Sequence, residues 1–94
     1  MPIEELLWDD WNSEPVARHR VFPEEVEQVC FSRSLVQRAK SEGENPVYYV
    51  LGQTDAGRYL FCVVIQFTDG KGFPVTARPM TPTERQRFRQ WKPR

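Results

Sequence analysis

Residues 47–67 read VYYVLGQTDAGRYLFCVVIQF and contain the longest apolar run of the chain, residues 59–65. Residues 47–53 and 58–67 are rich in β-branched and aromatic side chains, which is typical of β-strands. The four residues between them, 54–57, are few enough for a hairpin, so we expect the two strands to run antiparallel. Because the second strand is apolar on both faces, we expect it to lie at the centre of a sheet.

Two further strands are predicted on either side of this hairpin. Residues 35–40 and 73–78 carry strand-forming side chains, and the short segments 41–45 and 68–72 carry turn-forming residues. In residues 36–40, apolar and polar side chains alternate and place Arg38 and Lys40 on the same side, which favours a position near the edge. The sequence therefore predicts a four-stranded antiparallel meander.

Two short helices are predicted before the meander. Residues 13–19 follow a capping side chain and place Pro15 in the first turn, where proline is tolerated. Residues 22–30 begin with a proline and two acidic residues, and Val26, Val29 and Cys30 form one apolar stripe. We expect that stripe to be buried against the sheet.

A third helix, residues 82–91, is predicted at the C-terminal end. Thr81 is a hydroxyl N-cap, proline follows it, and Glu84 is the third helical residue, so the segment contains a complete capping box. Phe88 is expected to dock on the sheet together with Trp91, which leaves exposed a basic ridge of Arg85, Arg89 and Lys92. The predicted fold class is thus α+β, in one domain spanning residues 1–94.

Charge is segregated along the chain, although 13 basic and 13 acidic residues give a formal net charge of zero. Residues 1–30 hold eight acidic and two basic residues, a net charge of −6. Residues 71–94 hold seven basic residues and one acidic residue, a net charge of +6. A basic C-terminal segment can attract a polyanion; the alternative is that the two ends of the chain pack together and neutralise each other.

Several classes of protein are excluded by missing signals. The longest apolar run is far shorter than the roughly 20 residues of a membrane-spanning helix, and no basic signal-peptide start is present, so we expect a cytoplasmic protein. Cys30 and Cys62 lie in apolar segments with no metal-ligand spacing, which predicts buried free thiols. Since no zinc-ligand spacing, phosphate-binding glycine loop or dinucleotide motif is present, we expect neither a metal nor a cofactor.

The remaining polar residues permit metal-independent cleavage of RNA. That reaction needs a base to deprotonate the ribose 2′-hydroxyl, an acid to protonate the leaving 5′-oxygen, and cations to stabilise the charge on phosphorus. His19, Lys40 and several arginines supply such groups. Each also has a structural interpretation: His19 can bind the last carbonyls of its helix, and Arg78 can form an ion pair.

Four segments in a fixed order resemble the BrnT family of type II toxin–antitoxin systems, and together they extend over nearly the whole chain. The most distinctive pairs Thr76-Ala77-Arg78 with Glu84-Arg85. The others are Trp8-Asp9-x-Trp11-Asn12, Ala17-Arg18-His19-x-Val21-x-Pro23-Glu24-Glu25-Val26-Glu27-x-Val29, and Leu51-Gly52-Gln53-Thr54-x-x-Gly57-Arg58-Tyr59-Leu60.

The resemblance implies a RelE-like ribonuclease toxin of bacteria or archaea that acts on RNA without a ribosome-bound cofactor, and we expect its substrate to be single-stranded RNA. It further implies a BrnA-like antitoxin that neutralises the protein and through which it reaches operator DNA. Among the residues, it points to His19 for proton transfer and to Arg78 and Arg85 for stabilising phosphate charge. We expect further phosphate contacts from Lys40 and Arg58, with Arg89 on the basic ridge.

Three positions differ from the usual pattern of the family. Arg20 stands where glycine is usual, Pro15 stands where a second histidine is usual, and no arginine precedes Tyr48. These differences support a second hypothesis, a RelE-like binding or regulatory module without catalysis. A third hypothesis is direct DNA binding by the C-terminal basic helix. The antitoxin or a second copy of the chain is expected to cover whatever part of the central strand the last helix leaves bare.

Overall fold

The structure is a computed structural model that describes residues 1–40 and 43–92. Within those residues it is α+β, with three α-helices and one five-stranded sheet, which confirms the predicted class. The elements are β1 (Glu5–Leu6), α1 (Asp10–Arg18), α2 (Pro23–Cys30), β2 (Leu35–Arg38), β3 (Val47–Gln53), β4 (Tyr59–Gln66), β5 (Lys71–Pro79) and α3 (Pro82–Trp91).

The strand order is β1-β5-β4-β3-β2. Strands β2 to β5 form the predicted antiparallel meander, with β4 in the middle and β2 at an edge. The prediction of four strands, all antiparallel, is wrong, because β1 adds a fifth strand that runs parallel to β5. The predicted turn at residues 41–45 lies partly outside the described residues, since Ser41 and Glu42 do.

A glycine on β5, Gly72, leaves the space in which the short strand β1 docks. A Cβ atom on Gly72 would lie 2.7 Å from Ile3 Cγ2 and 2.9 Å from Ile3 Cδ1. Because glycine leaves that space free, Ile3 packs directly over the strand and is 2% exposed. Backbone hydrogen bonds from Glu4 to Gly70 and from Leu7 to Gly72 then fix the pairing.

Helix α1 begins earlier than predicted, at Asp10 and not at residue 13. Its N-cap is Asp9, whose carboxylate accepts a hydrogen bond from the Trp11 backbone, while the Asp9 backbone donates to the buried Asn12 side chain. Pro15 therefore lies inside the helix and not in its first turn. The predicted cap was wrong because two residues with suitable side chains, Asp9 and Asn12, stand close together in the sequence.

The bounds of two helices agree with the sequence, but the expected docking of Trp91 on the sheet is wrong, because Trp91 stays exposed beside the buried Phe88. Helix α2 buries Val26, Val29 and Cys30 as expected. Helix α3 begins at Pro82 with Thr81 and Glu84 in the predicted capping box, and it ends at Trp91. Helix α3 is therefore the element whose bounds the sequence determines best.

The two faces of the sheet are covered by different helices. On the face that α1 and α2 cover, which we call the core face, the central strand contributes Leu60, Cys62 and Val64 to the main core. On the opposite face, which we call the α3 face, Phe88 of α3 packs with Leu51 and Met80. Alternate residues of each strand thus face α3 on one side and the other two helices on the other.

The burial of the cysteines agrees with the prediction as well. Cys30 and Cys62 are both fully buried free thiols within the main core. A hydrogen bond between them, together with burial, raises the pKa of the Cys62 thiol well above its ordinary value. A thiol so placed is a small apolar core residue at neutral pH. Within residues 1–40 and 43–92, helices of the length and apolarity needed to cross a bilayer are absent.

The acidic and basic ends of the chain pack together in part, because β1 pairs with the beginning of β5, where Glu5 lies opposite Lys71. The acidic helices α1 and α2 cover the core face, whereas the basic helix α3 covers the opposite face. Among the described residues, the ion pairs are Arg58 with Glu25 and Arg78 with Glu84, and neither joins the acidic first 30 residues to the basic last segment. Arg94, which belongs to that segment, lies outside the described residues.

Candidate functional site

Helix α3 lays two arginines over a tyrosine ring of the central strand. The Cζ atoms of Arg85 and Arg89 lie 5.0 and 5.2 Å from the centroid of the Tyr59 ring. Arg89 Nε also donates a hydrogen bond of 3.2 Å to the Tyr59 hydroxyl. The two arginines are four residues apart and so lie on the same side of the helix. Phe88 meets the Tyr59 ring edge-on, with 6.1 Å between centroids, and anchors the helix there.

Arg78 forms a similar contact with the next aromatic residue along the same strand. It lies directly opposite Phe61 in the β4–β5 register, and its Cζ atom is 4.3 Å from the centroid of the Phe61 ring. Guanidinium groups stack favourably on aromatic faces, with an attraction of about 0.5–1 kcal/mol at exposed sites. The three arginines of this face therefore each lie over an aromatic ring.

Glu84 holds Arg78 from the side of α3. Nη1 and Nη2 of Arg78 donate to the two carboxylate oxygens at 2.8 and 2.9 Å, and Nη1 also donates to the Pro79 carbonyl. These hydrogen bonds hold the pKa of the Glu84 carboxyl below its ordinary value and raise that of Arg78. The edge formed by Nε and the second Nη2 hydrogen of Arg78 has no partner among the described residues, so it can still bind two oxygens.

Tyr49 extends the aromatic row onto strand β3. Its ring centroid lies 5.3 Å from that of Phe61, and 39% of the residue is exposed. Six residues on the α3 face thus form one surface, which we call the basic–aromatic face. They are Tyr49, Tyr59, Phe61, Arg78, Arg85 and Arg89.

His19 lies away from this surface. It is the C-cap residue of α1, its backbone N–H donates to the Val16 carbonyl at 3.1 Å, and it is exposed. Helix α1 packs on the core face, whereas Arg78 and Arg85 lie on the opposite face. The structure therefore groups the two predicted arginines and separates the predicted histidine from them.

The three residues predicted to contact RNA lie in different surroundings. Arg89 belongs to the basic–aromatic face. Arg58 forms an ion pair with Glu25 that joins β4 to α2. Its Nη1 donates to both Glu25 oxygens at 2.8 and 3.1 Å and to the Arg20 carbonyl at 2.9 Å. Lys40 is exposed just after the edge strand β2, and no described contact joins it to the face.

Sequence reasoning missed the aromatic partners of the arginines. The sequence predicts Tyr59 and Phe61 only as strand residues and Glu84 only as part of the helix cap. The Arg78–Phe61 contact depends on the strand register, which a bulge at Val63/Val64 shifts along the hairpin. A signal that could have found these residues is the strict alternation of β4, which places Tyr59 and Phe61 on the face opposite the buried Leu60.

Comparison with known proteins returns no identifying match: no family model and no curated protein matches the chain. The resemblance to the BrnT family therefore stands as a proposal. Among residues 1–40 and 43–92, no cluster of three or more His, Cys, Asp or Glu side chains could hold a metal ion.

Proposed function

We propose that the protein binds single-stranded RNA on the basic–aromatic face and cleaves it without a metal, as a toxin of the BrnT type. The observation that carries the proposal is the arrangement of three guanidinium groups over aromatic rings on one face of the sheet. Guanidinium groups bind phosphate oxygens, and aromatic and guanidinium planes stack with unpaired bases. A single strand fits this surface because the bases of a duplex are stacked on one another.

The same face offers groups for the chemistry of cleavage. As the 2′-oxygen attacks phosphorus, negative charge grows on the phosphoryl oxygens, and Arg85 and the open edge of Arg78 are the groups that stabilise it. The Tyr59 hydroxyl accepts its hydrogen bond from Arg89, so its own proton is available for the departing 5′-oxygen. The family resemblance assigns to His19 the proton of the attacking 2′-hydroxyl. Because His19 lies on the helix that covers the opposite face, a solvent water takes that proton in this arrangement, and Tyr59 regains its own proton from solvent.

The partners expected from the resemblance belong to the proposal too. Strand β4 leaves Val63 and Ile65 half-buried on the α3 face, next to Phe73 of β5. We propose that a BrnA-like antitoxin or a second copy of the chain covers this apolar area. The protein would reach operator DNA through that antitoxin.

A second candidate function is a binding module with a RelE-like fold and no catalysis. Two observations favour it: Glu84 occupies one edge of Arg78, and His19 lies on a helix that covers the opposite face of the sheet from the arginines. Such a module would keep RNA or a protein partner on the basic–aromatic face without cutting it.

One assay separates the two candidates. Purified protein is incubated with end-labelled single-stranded RNA in excess chelator, and cleavage and binding are measured on the same samples. Arg85→Ala is expected to weaken both, and Tyr59→Phe is expected to slow cleavage while binding persists. Arg87→Ala is the matched control, because Arg87 is exposed on the same helix and contacts no ring of the sheet among the described residues.

The outcomes are distinct. Binding without cleavage by the unchanged protein supports the module and contradicts the ribonuclease. Equal behaviour of Arg85→Ala and Arg87→Ala would contradict the assignment of the site. His19→Ala tests the remaining proton-transfer role: unchanged cleavage removes His19 from the reaction. Growth arrest on expression in bacteria, relieved by an adjacent small antitoxin, would support the toxin.

A further inference from the structure

We infer that Tyr49, supported by Phe61, is a stacking subsite for one unpaired nucleobase of the bound RNA; this rests on the proposed RNA binding and adds to it the contact that recognises bases. Tyr49 stands in the middle of strand β3, where its neighbours Val50 and Leu51 are buried. Because 39% of Tyr49 is nevertheless exposed, part of its aromatic side chain is accessible to a ligand.

The surroundings of Tyr49 continue into the charged part of the face. Its ring is 5.3 Å from the Phe61 ring, and Arg78 lies over Phe61 at 4.3 Å, so the three residues form one row across β3, β4 and β5. A base stacked on Tyr49 would lie at one end of this row. The guanidinium of Arg78 would lie at the other end, where the open Nε–Nη2 edge can bind a phosphate of the same strand.

The chemistry of the row favours a nucleic acid over an apolar protein segment. Gln37 lies directly opposite Tyr49 on β2, on the same face, and its amide can both donate and accept hydrogen bonds at a base edge. Arg78, Arg85 and Arg89 supply the charge that a polyanion needs. Aromatic side chains on the open face of an antiparallel sheet bind single-stranded RNA by stacking, and the contact tolerates any base because every base has a π-face.

The test compares two oligonucleotides with equal phosphate charge. The first is a 2′-O-methyl hexaribonucleotide, which cannot be cleaved because the attacking hydroxyl is blocked, and the second is its abasic analogue. Tyr49→Ala is expected to weaken binding of the base-bearing strand roughly tenfold and to leave binding of the abasic strand unchanged. Tyr49→Phe is expected to keep the affinity, whereas Tyr49→Leu, which keeps apolar area without a ring, is expected to behave like the alanine variant.

The outcomes distinguish failure of the stacking subsite from failure of RNA binding as a whole. If the unchanged protein binds the two strands equally, or if Tyr49→Ala retains its preference for the base-bearing strand, the stacking subsite is contradicted while electrostatic RNA binding stands. If the unchanged protein binds neither strand, both the subsite and the proposed RNA binding are contradicted. Thermal unfolding of each variant separates loss of the ring from loss of the fold.

Discussion

Arg78 and Glu84 join the end of strand β5 to the first turn of helix α3 through two parallel hydrogen bonds of 2.8 and 2.9 Å. The Glu84 carboxylate also accepts a hydrogen bond of 2.8 Å from the Thr81 backbone. One carboxylate therefore caps the helix and fixes the arginine over Phe61. This contact sets the position of α3 on the sheet and, with it, the positions of Arg85 and Arg89.

Replacing Glu84 by Gln isolates the ion pair from the cap, because Gln can still accept the hydrogen bond from Thr81. We expect Glu84→Gln to lower the free energy of unfolding at pH 7 by about 1 kcal/mol, since the pair is half-exposed and screened by solvent. Chemical denaturation at several pH values measures the effect.

The contribution of the Glu84–Arg78 ion pair to the free energy of unfolding depends on pH. The pKa of Glu84 is lowered in the folded protein, so its contribution is fully present above the unfolded value of about 4.3. The contribution is lost as the pH falls through the lower folded value. The stability difference between the unchanged protein and Glu84→Gln should therefore shrink only in that acidic range. If the stability difference between the two proteins stays constant even at pH values where Glu84 is protonated, the ion pair is contradicted.

Arg20 occupies a strained position that glycine would relieve. Its φ angle is +56°, and its N–H donates to the Ala17 carbonyl while that of Val21 donates to Val16, which is a Schellman motif at the end of α1. We expect Arg20→Gly to raise the free energy of unfolding by about 0.5–1 kcal/mol, because a side chain costs about 1–2 kcal/mol in this conformation and glycine loses more entropy on folding.

Arg18→Gly is the matched control, since Arg18 is helical and exposed in the same turn. There, glycine should lower the free energy of unfolding by about 1 kcal/mol. Opposite signs for the two variants would support the backbone argument. A loss of stability in Arg20→Gly would contradict it. The Arg20 carbonyl that binds Arg58 is present in both proteins, so that contact does not confuse the comparison.

Gly72→Ala tests the docking of strand β1. The new methyl group would lie within 3.0 Å of Ile3 and Val64 side chains, so we expect overpacking to lower the free energy of unfolding by about 1–3 kcal/mol. In an Ile3→Ala background, the same substitution should cost less than about 1 kcal/mol, because most of the crowding atoms are gone. Equal costs in both backgrounds would show that Ile3 does not pack over Gly72.

The parts of the fold that the sequence predicts are those determined by neighbouring residues. The capping box before α3 and the connection after β3 use residues close together in the chain. Helix α3 begins at Pro82 and strand β3 ends at Gln53, as predicted, and β4 begins one residue later than predicted, at Tyr59. Strand β1 escapes prediction because its two residues pair with β5 across more than 60 positions. The one sequence feature that relates to β1 is the glycine at position 72. It points to β1 only when the structure shows that Ile3 packs over this glycine.

In the candidate site, too, the sequence predicts the contacts between residues close together in the chain and not those between distant residues. Arg85 and Arg89 could be placed together because they are one helical turn apart. Arg78 could be placed at the boundary of strand and helix, but its partner could not, since Glu84 satisfies the cap and the ion pair at once. The position of His19 depends on which face of the sheet α1 covers, and that is decided by Val16 and Val21 packing against the core face.

The salt dependence of RNA binding measures how many phosphates the basic–aromatic face contacts. For single strands, the slope of log affinity against log salt concentration is about −0.7 per phosphate neutralised. If Arg85 binds one phosphate, Arg85→Ala should reduce the magnitude of the slope by about 0.7. Arg87→Ala removes the same formal charge from the same helix and should change the slope much less. A reduction of the same size in both variants would mean that RNA senses only the net charge of α3, and the geometry over Tyr59 would then have no part in binding.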